Sequence, residues 1–275
     1  MNPVACTILL CLCALPGQTI AQNKKNLDKK PLIIGETFTF HSAAIDEERT
    51  INVYLPEGYH QDSNEKYPVI YLLDGGLDED FLHVAGLVQF ASFPWVRYLK
   101  PSIVVGIVNV NRRRDFTFPS SREEDKKLIP AAGGSERFIR FLASEVLPAI
   151  KAHYRIDTPS VLIGQSAGGL LGSEILFTKP ELFTHYILVS PSLWWDGQSL
   201  LARRLPVVSP RQVYIAVGKE GEEMEAPAAA LSQKLQTNHH NVIFNFMEDA
   251  DHGNILHLAL YDAFRRMFFV PEEKE

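Results

Sequence analysis

Cysteine is scarce in this sequence and is confined to its first residues. The cysteines of the chain are Cys6, Cys11 and Cys13. If the N-terminal segment that carries them is removed, the remaining chain has no thiol and can form no disulfide, cysteine-based metal site or cysteine nucleophile. Functions that depend on such groups are therefore excluded for the processed chain.

Basic residues are also in deficit. The chain has 27 Lys and Arg against 33 Asp and Glu, which gives a formal net charge of −6 at pH 7. A general nucleic-acid-binding protein usually has a basic balance or a basic stripe, so we do not expect this protein to bind nucleic acid.

Hydrophobic residues make up 46% of the 275 residues, which is ample for a sizeable core in one or two domains.

Charged side chains are absent from the N-terminus. Residues 1–21 contain none, and the apolar run from Val4 to Leu15 is too short to span a membrane comfortably. The small residues Thr19 and Ala21 fit the preference of signal peptidase. We therefore predict a signal peptide over residues 1–21, cleaved near Ala21. The protein is then expected to be periplasmic or secreted, with no membrane span in its mature form.

A polar stretch and then a regular alternation of patterns follow. Residues 22–34 begin with "QNKKNLDKKP" and are expected to form a flexible lead-in. Beyond them, short runs rich in β-branched and aromatic residues alternate with helical patterns, and no linker interrupts the series. The strand-like runs are "ETFTFHS", "RTINVYLP", "YPVIYLLD", "SIVVGIVNV", "SVLIG", "YILVS", "VYIAVG" and "VIFNFME".

The character of these runs predicts the fold. The first two alternate in polarity, which indicates an antiparallel pair joined by a turn at residues 46–48. Several later runs are continuously apolar, as is typical of strands buried on both faces of a parallel sheet. We predict a single α/β domain over residues 35–275, with a doubly wound, mostly parallel sheet, an antiparallel N-terminal edge and helices on both faces.

A serine lies at one of the predicted strand-to-helix junctions. Gly164, Ser166 and Gly168 form the pattern G-x-S-x-G between "SVLIG" and the helical segment "AGGLLGSEILF". Such a turn strains the serine backbone, exposes its hydroxyl and brings the two flanking positions very close, which predicts a nucleophile. The N–H of Ala167, at the helix N-terminus, is a candidate oxyanion donor. The alternative is that the motif marks only a tight turn.

A serine nucleophile needs a base, and His252 is the candidate. It lies in "EDADHGNIL", after the last strand-like run and before the last helix, where a doubly wound hydrolase places its histidine. Gly253 lets the backbone turn and Asn254 can begin the helix. The competing hypothesis is a metal site formed by His252 with Asp249 and Asp251.

The acid that would orient His252 is less well determined. It is expected after a strand between Ser166 and His252, and Glu220, which comes closest after "VYIAVG", is favoured. A solvated run of charge is the ordinary interpretation of such a segment. The alternatives are Glu222, Glu223, Glu225 and Asp196.

The second oxyanion donor and the substrate contacts are expected in neighbouring loops. Asp74-Gly75-Gly76 follows "YPVIYLLD", and the N–H of Gly76 is the candidate donor. Ligands bind outside the carboxyl ends of parallel strands, where aromatic and basic side chains suit an aromatic, anionic or electron-rich acyl group. The candidate substrate-binding residues are Arg112, Arg113, Trp194 and Trp195. Alternatively, the tryptophans fill the core and the arginines pair with Glu123, Glu124 and Asp125.

These motifs resemble a known group of enzymes. The segments "INVYLPEGY", "YPVIYLLDG", "NRRRDFTFP", "RFLASEVLPAIKAHYRID", "LIGQSAGGL" and "SPSLWWD" resemble the esterase branch of the α/β-hydrolases. That branch includes esterase D-like enzymes and enterobactin-type siderophore esterases, and "SPSLWW" and "R-x-D-F-T" look like the siderophore side. The resemblance implies Ser166 as nucleophile, His252 as base and carboxylic esters as substrates. It leaves the acid open, because some relatives work with a Ser-His pair.

The sequence therefore predicts an exported serine esterase that acts on a small-molecule ester through an acyl-enzyme. A catecholate siderophore trilactone is the favoured substrate, and no metal or organic cofactor is expected. The sequence does not indicate an oligomeric state. One alternative is a feruloyl or acetyl-xylan esterase, and another is a non-catalytic binding protein that keeps the hydrolase fold.

Overall fold

The computed structural model describes residues 28–59, 64–207 and 210–269, and within these ranges eight strands form one sheet. The predicted signal peptide, the three cysteines and residues 22–27 of the predicted lead-in lie outside the described residues. The strands are β1 (Gly35–Ser42), β2 (Glu47–Tyr54), β3 (Tyr67–Leu73), β4 (Ile103–Ile107), β5 (Ile156–Gln165), β6 (His185–Val189), β7 (Gln212–Gly218) and β8 (Val242–Met247).

The strand order is that of a mostly parallel sheet with an antiparallel edge. The order is β1-β2-β4-β3-β5-β6-β7-β8. β1 and β2 are antiparallel to each other, β2 is antiparallel to β4, and the strands from β4 through to β8 are parallel. This architecture confirms the predicted fold class, and each strand-like run of the sequence contains a strand.

The hairpin between β1 and β2 turns earlier than expected. The predicted turn was at residues 46–48, but β2 already begins at Glu47. Asp46 has φ 62° and donates its N–H to the carbonyl of Ser42 at 2.8 Å. Glu47 belongs to the strand because it pairs with Ser42 of β1, and its carboxylate also accepts hydrogen bonds from Arg49 and Arg114.

Helices cover both faces of the sheet. Alternate strand residues point to opposite faces, so Tyr71 and Leu73 join one hydrophobic cluster while Ile70 and Leu72 join the other. The helices are α1 (Phe81–Ala91), α2 (Arg112–Asp115), α3 (Glu123–Leu128), α4 (Ser135–Phe141), α5 (Leu147–His153), α6 (Ala167–Thr178), α7 (Trp195–Ala202), α8 (Glu222–Thr237) and α9 (Ile255–Phe268). α4, α5, α6 and α8 pack on the first face, and α1 and α9 pack on the second.

Two boundaries bear on the sequence predictions. The first strand begins at Gly35, where the predicted domain begins, and the organisation of residues 35–275 as one domain stays a prediction. A single π-helical turn, Leu142–Val146, joins α4 to α5, so the predicted helix is continuous across it. Among the described helices, none is long and apolar enough to cross a membrane.

Candidate active site

Ser166 lies at the junction of β5 and α6 in a strained conformation. Its φ and ψ are 58° and −119°, a combination that a non-glycine residue adopts only when its surroundings impose it. The Ser166 N–H donates to the carbonyl of Val189 at 2.9 Å, and its carbonyl accepts from the N–H groups of Leu170 at 2.9 Å and Ser192 at 3.0 Å. These three bonds fix the turn and leave the half-buried hydroxyl 3.3 Å from Oγ of Ser192.

The two glycines of the motif have different roles. A Cβ at Gly164 would lie 2.4 Å from the carbonyl oxygen of Gly168, a contact that no side chain can make. A Cβ at Gly168 would lie 3.3 Å from Oδ2 of Asp74, which is tight but not prohibitive. The predicted steric requirement therefore holds strictly at Gly164, whereas Gly168 matters chiefly because its backbone approaches Gly164.

His252 is in contact with Glu220. His252 Nδ1 lies 2.5 Å from Oε2 of Glu220, whose side chain is only 3% exposed. The other carboxylate oxygen, Oε1, accepts hydrogen bonds from the N–H of Gly218 at 3.0 Å and from the hydroxyl of Ser190. Since both oxygens are engaged, Glu220 is held in one orientation and in turn fixes the imidazole.

The loop that carries His252 is fastened on two sides. The carbonyl of Ala250 accepts from the N–H of Lys219 at 2.7 Å, and a Cβ at Gly218 would lie 2.5 Å from that carbonyl oxygen. On the other side, Nε2 of Gln165 donates to the His252 carbonyl at 2.7 Å. The residue before the serine therefore helps to position the histidine.

The remaining candidate acids are not in contact with His252. Glu222 and Glu223 are exposed, and Glu225 accepts the N–H groups of Glu220 and Gly221 at 2.8 and 2.7 Å. Asp196 accepts hydrogen bonds from the backbone N–H and the hydroxyl of Ser121, both at 2.7 Å. Burial acts to raise the pKa of Asp196, but hydrogen bonds from neighbouring serines outweigh it and lower the pKa to about 2.

The competing metal hypothesis has little geometric support. Oδ1 of Asp251 accepts the N–H groups of Gly253 at 2.8 Å and Asn254 at 3.1 Å, so this side chain organises the loop. Within the described ranges, no three His, Cys, Asp or Glu side chains are grouped so that they could hold a metal ion.

Ser166 and His252 are not hydrogen-bonded to each other. Among the described residues, the recorded side-chain partner of the Ser166 hydroxyl is Ser192. Catalytic hydrogen bonds are often long or unformed without substrate. The structure thus brings Glu220 to His252 and holds the loop of His252 against Gln165, next to the serine.

The two candidate oxyanion donors differ in their state. Ala167 is the first residue of α6, so its N–H has no partner within the helix. The N–H of Gly76, by contrast, donates to Oε2 of Glu79 at 2.7 Å. A carboxylate of the same turn therefore occupies the second predicted donor.

The sequence profile of the family described as "Putative esterase" matches residues 42–258. The chain belongs to this esterase family. Because the family and the relatives described below are esterases, the protein is a carboxylic ester hydrolase.

Several named relatives are siderophore esterases, and another, 30% identical over 55% of this chain and 21% of its own length, is the endo-1,4-beta-xylanase/feruloyl esterase of Xylanibacter ruminicola. The ferri-bacillibactin esterase BesA of Bacillus subtilis is 30% identical over 63% of this chain and 67% of that protein. The siderophore triacetylfusarinine C esterase of Aspergillus fumigatus is 37% identical over 53% of this chain and 51% of that protein. Among solved structures, the IroE-like serine hydrolase from Shewanella oneidensis superposes with a TM-score of 0.74 and 30% identity, covering 85% of this chain and 80% of that one.

In this esterase the predicted substrate-binding arginines have different surroundings. Nε and Nη2 of Arg112 donate to the two carboxylate oxygens of Asp74 at 2.5 and 2.9 Å, and Nη2 also reaches the carbonyl of Gln165 at 3.3 Å. Arg113 is exposed, and its side chain has no hydrogen bond or ion pair recorded among the described residues. Arg114 binds Glu47 and Asp115. The alternative pairing with the acidic residues of α3 is therefore not observed for these arginines.

The two tryptophans also differ, and one prediction needs correction. Trp195 is 1% exposed, and its indole N–H donates to the carbonyl of Phe118 at 2.9 Å. It is a core residue, because its ring packs in the first hydrophobic cluster, and it cannot line a substrate pocket as predicted. Trp194 is only partly buried against the same core, so it remains a candidate contact.

Several residues of the esterase site were not predicted. Ser190 and Ser192 lie within "SPSLWW", where alternate residues after β6 face Glu220 and Ser166.

Asn109 donates through Nδ2 to Oδ1 of Asp74 and to Oε1 of Glu79, both at 2.6 Å. Burial, together with the carboxylate of Asp74, raises the pKa of Asp80 above its ordinary value. The sequence signal that could have identified Asn109, Ser190 and Ser192 is that each is a polar residue shortly after β4 or β6.

Proposed function

We propose that this protein is a serine esterase that cleaves siderophore esters with Ser166 as nucleophile, His252 as base and Glu220 as the acid that orients the base. The observation that carries the proposal is the contact of 2.5 Å between His252 and the buried Glu220, next to a serine with φ 58° at a strand-to-helix turn. A nucleophile, a base and an orienting acid in this arrangement are the parts that acyl transfer requires.

The proposed reaction begins at the serine hydroxyl. Because Nδ1 of His252 is engaged by Glu220, Nε2 is the ring nitrogen that remains to accept the proton of Ser166. The hydroxyl turns from Ser192 toward this nitrogen, and Oγ attacks the ester carbonyl as the proton passes to His252. The proton then goes to the departing alcohol as the ester bond breaks, which leaves an acyl-Ser166.

Water completes the proposed cycle. It attacks the acyl carbon while His252 accepts its proton, and the proton returns to Oγ of Ser166 as the free acid leaves. In both steps the carbonyl oxygen becomes negative and is stabilised by the N–H of Ala167, at the N-terminus of α6. The N–H of Gly76 is the proposed second donor, and it is available only after Glu79 releases it.

The substrate class is proposed from the relatives and from the rim of the site. The relatives are named for ferri-bacillibactin and for triacetylfusarinine C, and both names denote siderophores. A catecholate trilactone is the more specific proposal, because the charge of Arg113, which has no ion pair within the described ranges, and the aromatic surface of Trp194 suit an anionic aromatic group. Arg113 lies in α2, in the segment after β4, and Trp194 lies in the segment after β6, so both follow the carboxyl ends of parallel strands, where ligands bind.

We also propose that the protein is exported. The support is the uncharged apolar N-terminus, with Thr19 and Ala21 placed as signal peptidase prefers. Mass spectrometry of the protein recovered from its native host tests this point. A mature N-terminus at or near Gln22 supports export, and an intact Met1 contradicts it.

Substrate comparison tests the proposed activity. Residues 22–275 are incubated separately with ferri-bacillibactin, triacetylfusarinine C and methyl ferulate, and initial rates are compared. We expect a siderophore ester to be cleaved fastest, Ser166→Ala to lose the activity, and Ser144→Ala, an exposed serine on the π-helical turn, to retain it. A faster rate with methyl ferulate would indicate a feruloyl esterase, and no turnover of any ester would indicate a binding protein.

A further inference from the structure

We propose that Glu79 is a latch on the oxyanion hole, an inference that rests on the proposed function. In the substrate-free enzyme its carboxylate occupies the N–H of Gly76, and this N–H becomes available to a substrate only when the carboxylate leaves. The latch is defined here as the side chain of Glu79 bonded to the backbone of Gly76.

The contact itself is well defined. Oε2 of Glu79 accepts the Gly76 N–H at 2.7 Å, and Gly76 is buried whereas Glu79 is half-buried. A backbone N–H carries one hydrogen and cannot donate fully to two oxygens. A negatively charged carboxylate oxygen at this position also imitates the oxyanion that the hole would stabilise. In the substrate-free enzyme the Glu79 carboxylate therefore inhibits the site, because it takes the place that the negative oxygen of the intermediate would need.

The same bond contributes to local structure. The N–H of Glu79 donates to the carbonyl of Gly76 at 3.1 Å, and the N–H of Phe81 approaches the same carbonyl at 3.3 Å. A glutamate that reaches back to an N–H three residues earlier has the spacing of a capping box, although here it lies in the turn that precedes α1, whose N-cap is Asp80. Glu79 thus steadies the turn before α1, and this local role does not remove its competition with the substrate.

The released carboxylate has another partner. Oε1 of Glu79 accepts from Nδ2 of Asn109 at 2.6 Å, so a rotation can free Gly76 while this second bond persists. Asn109 also binds Asp74, and Asp74 is bound by Arg112, which reaches the carbonyl of Gln165. The latch is therefore joined through hydrogen bonds to the residue before the nucleophile.

The latch predicts a specific kinetic signature. If the open form is a minor population, the apparent affinity for substrate falls by that fraction, whereas the rate at saturation does not. Because a hydrogen bond to a charged acceptor is strong, the closed form dominates and the open form is a minor population. We therefore expect Glu79→Ala to lower KM roughly tenfold and to keep kcat within about twofold of wild type. Loss of a merely structural cap would instead lower kcat or stability.

The rate of fluorophosphonate labelling gives the direct test, because the phosphonyl oxygen must occupy the oxyanion hole. We expect the second-order labelling constant to rise roughly tenfold in Glu79→Ala and by a smaller factor in Glu79→Gln, whose neutral amide is a weaker acceptor. Asp78→Asn is the matched control, because Asp78 carries the same charge in the same turn and does not bind the Gly76 N–H. Its labelling rate should equal that of wild type.

The outcomes separate this proposal from the one on which it rests. The latch alone would be overturned if labelling depends on Ser166 but is unchanged or slower in Glu79→Ala than in wild type. This outcome counts only if the circular dichroism spectrum of Glu79→Ala is native. If Glu79→Ala does not fold, the same criterion applies to Glu79→Gln. Absence of Ser166-dependent labelling in wild type and in every variant would overturn the esterase mechanism and the latch together.

Discussion

The imidazole of His252 and the carboxylate of Glu220 are 2.5 Å apart, although 32 positions separate them in the chain. The contact forms because β7 and β8 are neighbours and parallel, so the loops that follow them meet at one edge of the sheet. The carboxylate is 3% exposed and the imidazole 46% exposed. A buried carboxylate therefore orients an imidazole that remains accessible to solvent.

Neutralising the acid should disable the base. Glu220→Gln removes the charge that stabilises protonated His252 and can stabilise the wrong imidazole tautomer. We expect kcat for p-nitrophenyl butyrate to fall roughly 10³- to 10⁴-fold, as in other triads. Glu223→Gln, an exposed residue of the same acidic segment, is the control and should keep kcat. A similar loss in both variants, or in neither, would contradict the role of Glu220.

Arg112 and Arg113 should behave differently despite their adjacency. Arg112→Ala leaves the partly buried Asp74 without its ion pair and disturbs the loop beside Gln165, so kcat should fall for neutral and anionic esters alike. Arg113→Ala should raise KM roughly three- to tenfold for an anionic ester and leave a neutral one unchanged. Steady-state kinetics with one ester of each charge checks both statements. The roles would be reversed if Arg112→Ala alone discriminated by charge.

The strained turn at Ser166 should tolerate no side chain at Gly164. Gly164→Ala forces a Cβ to 2.4 Å from the Gly168 carbonyl oxygen and is expected to lower the free energy of unfolding by about 2–3 kcal/mol, with loss of activity. Gly86→Ala is the contrast, since a Cβ there meets nothing within 4 Å in the exposed face of α1. It should stabilise by about 0.5–1 kcal/mol. Urea unfolding measures both, and equal effects would refute the steric explanation.

His185 gives the fold a dependence on pH. Burial, assisted by Arg211, lowers the pKa of His185 to about 4, so the folded protein keeps the ring neutral. An unfolded chain binds that proton near pH 6.5, and the free energy of unfolding therefore falls as the pH drops from 6.5 toward 4. We expect His185 to account for about 2 kcal/mol of that loss.

Urea unfolding at pH 7, 6 and 5 tests this expectation. His185→Gln should show a shallower decline than wild type, whereas the exposed His153→Gln should not change the slope. A decline of the same steepness in wild type and His185→Gln would assign the effect to other groups.

Local patterns were sufficient to predict the strands and the turn at Ser166 that surround the candidate site. Strand-like runs, the glycine spacing around Ser166 and the position of His252 after the last strand depend on neighbours in sequence, and the turn chemistry is local. Glu220 was favoured because it comes directly after β7. The contact with His252 then follows from strand adjacency, which the sequence order alone left open among several acids.

Side-chain partners across long separations could not be predicted. Arg112 binds Asp74 across 38 positions, and Arg114 binds Glu47 across 67, because the end of β4 lies beside the end of β3 and the start of β2 in the sheet. Adjacent tryptophans look alike in sequence, yet one is buried and the other is not. The occupation of Gly76 by Glu79 was equally hidden, since acidic residues near a double glycine suggest only a solvated turn.

Covalent labelling of Ser166 tests the central claim most directly. The protein comprising residues 22–275 is treated with a fluorophosphonate, digested and mapped by mass spectrometry. The proposed mechanism predicts a single adduct on Ser166, loss of esterase activity in proportion to labelling, and neither adduct nor activity in Ser166→Ala. Esterase activity that persists in Ser166→Ala, or a wild-type enzyme inactivated by an adduct on another residue, would contradict it.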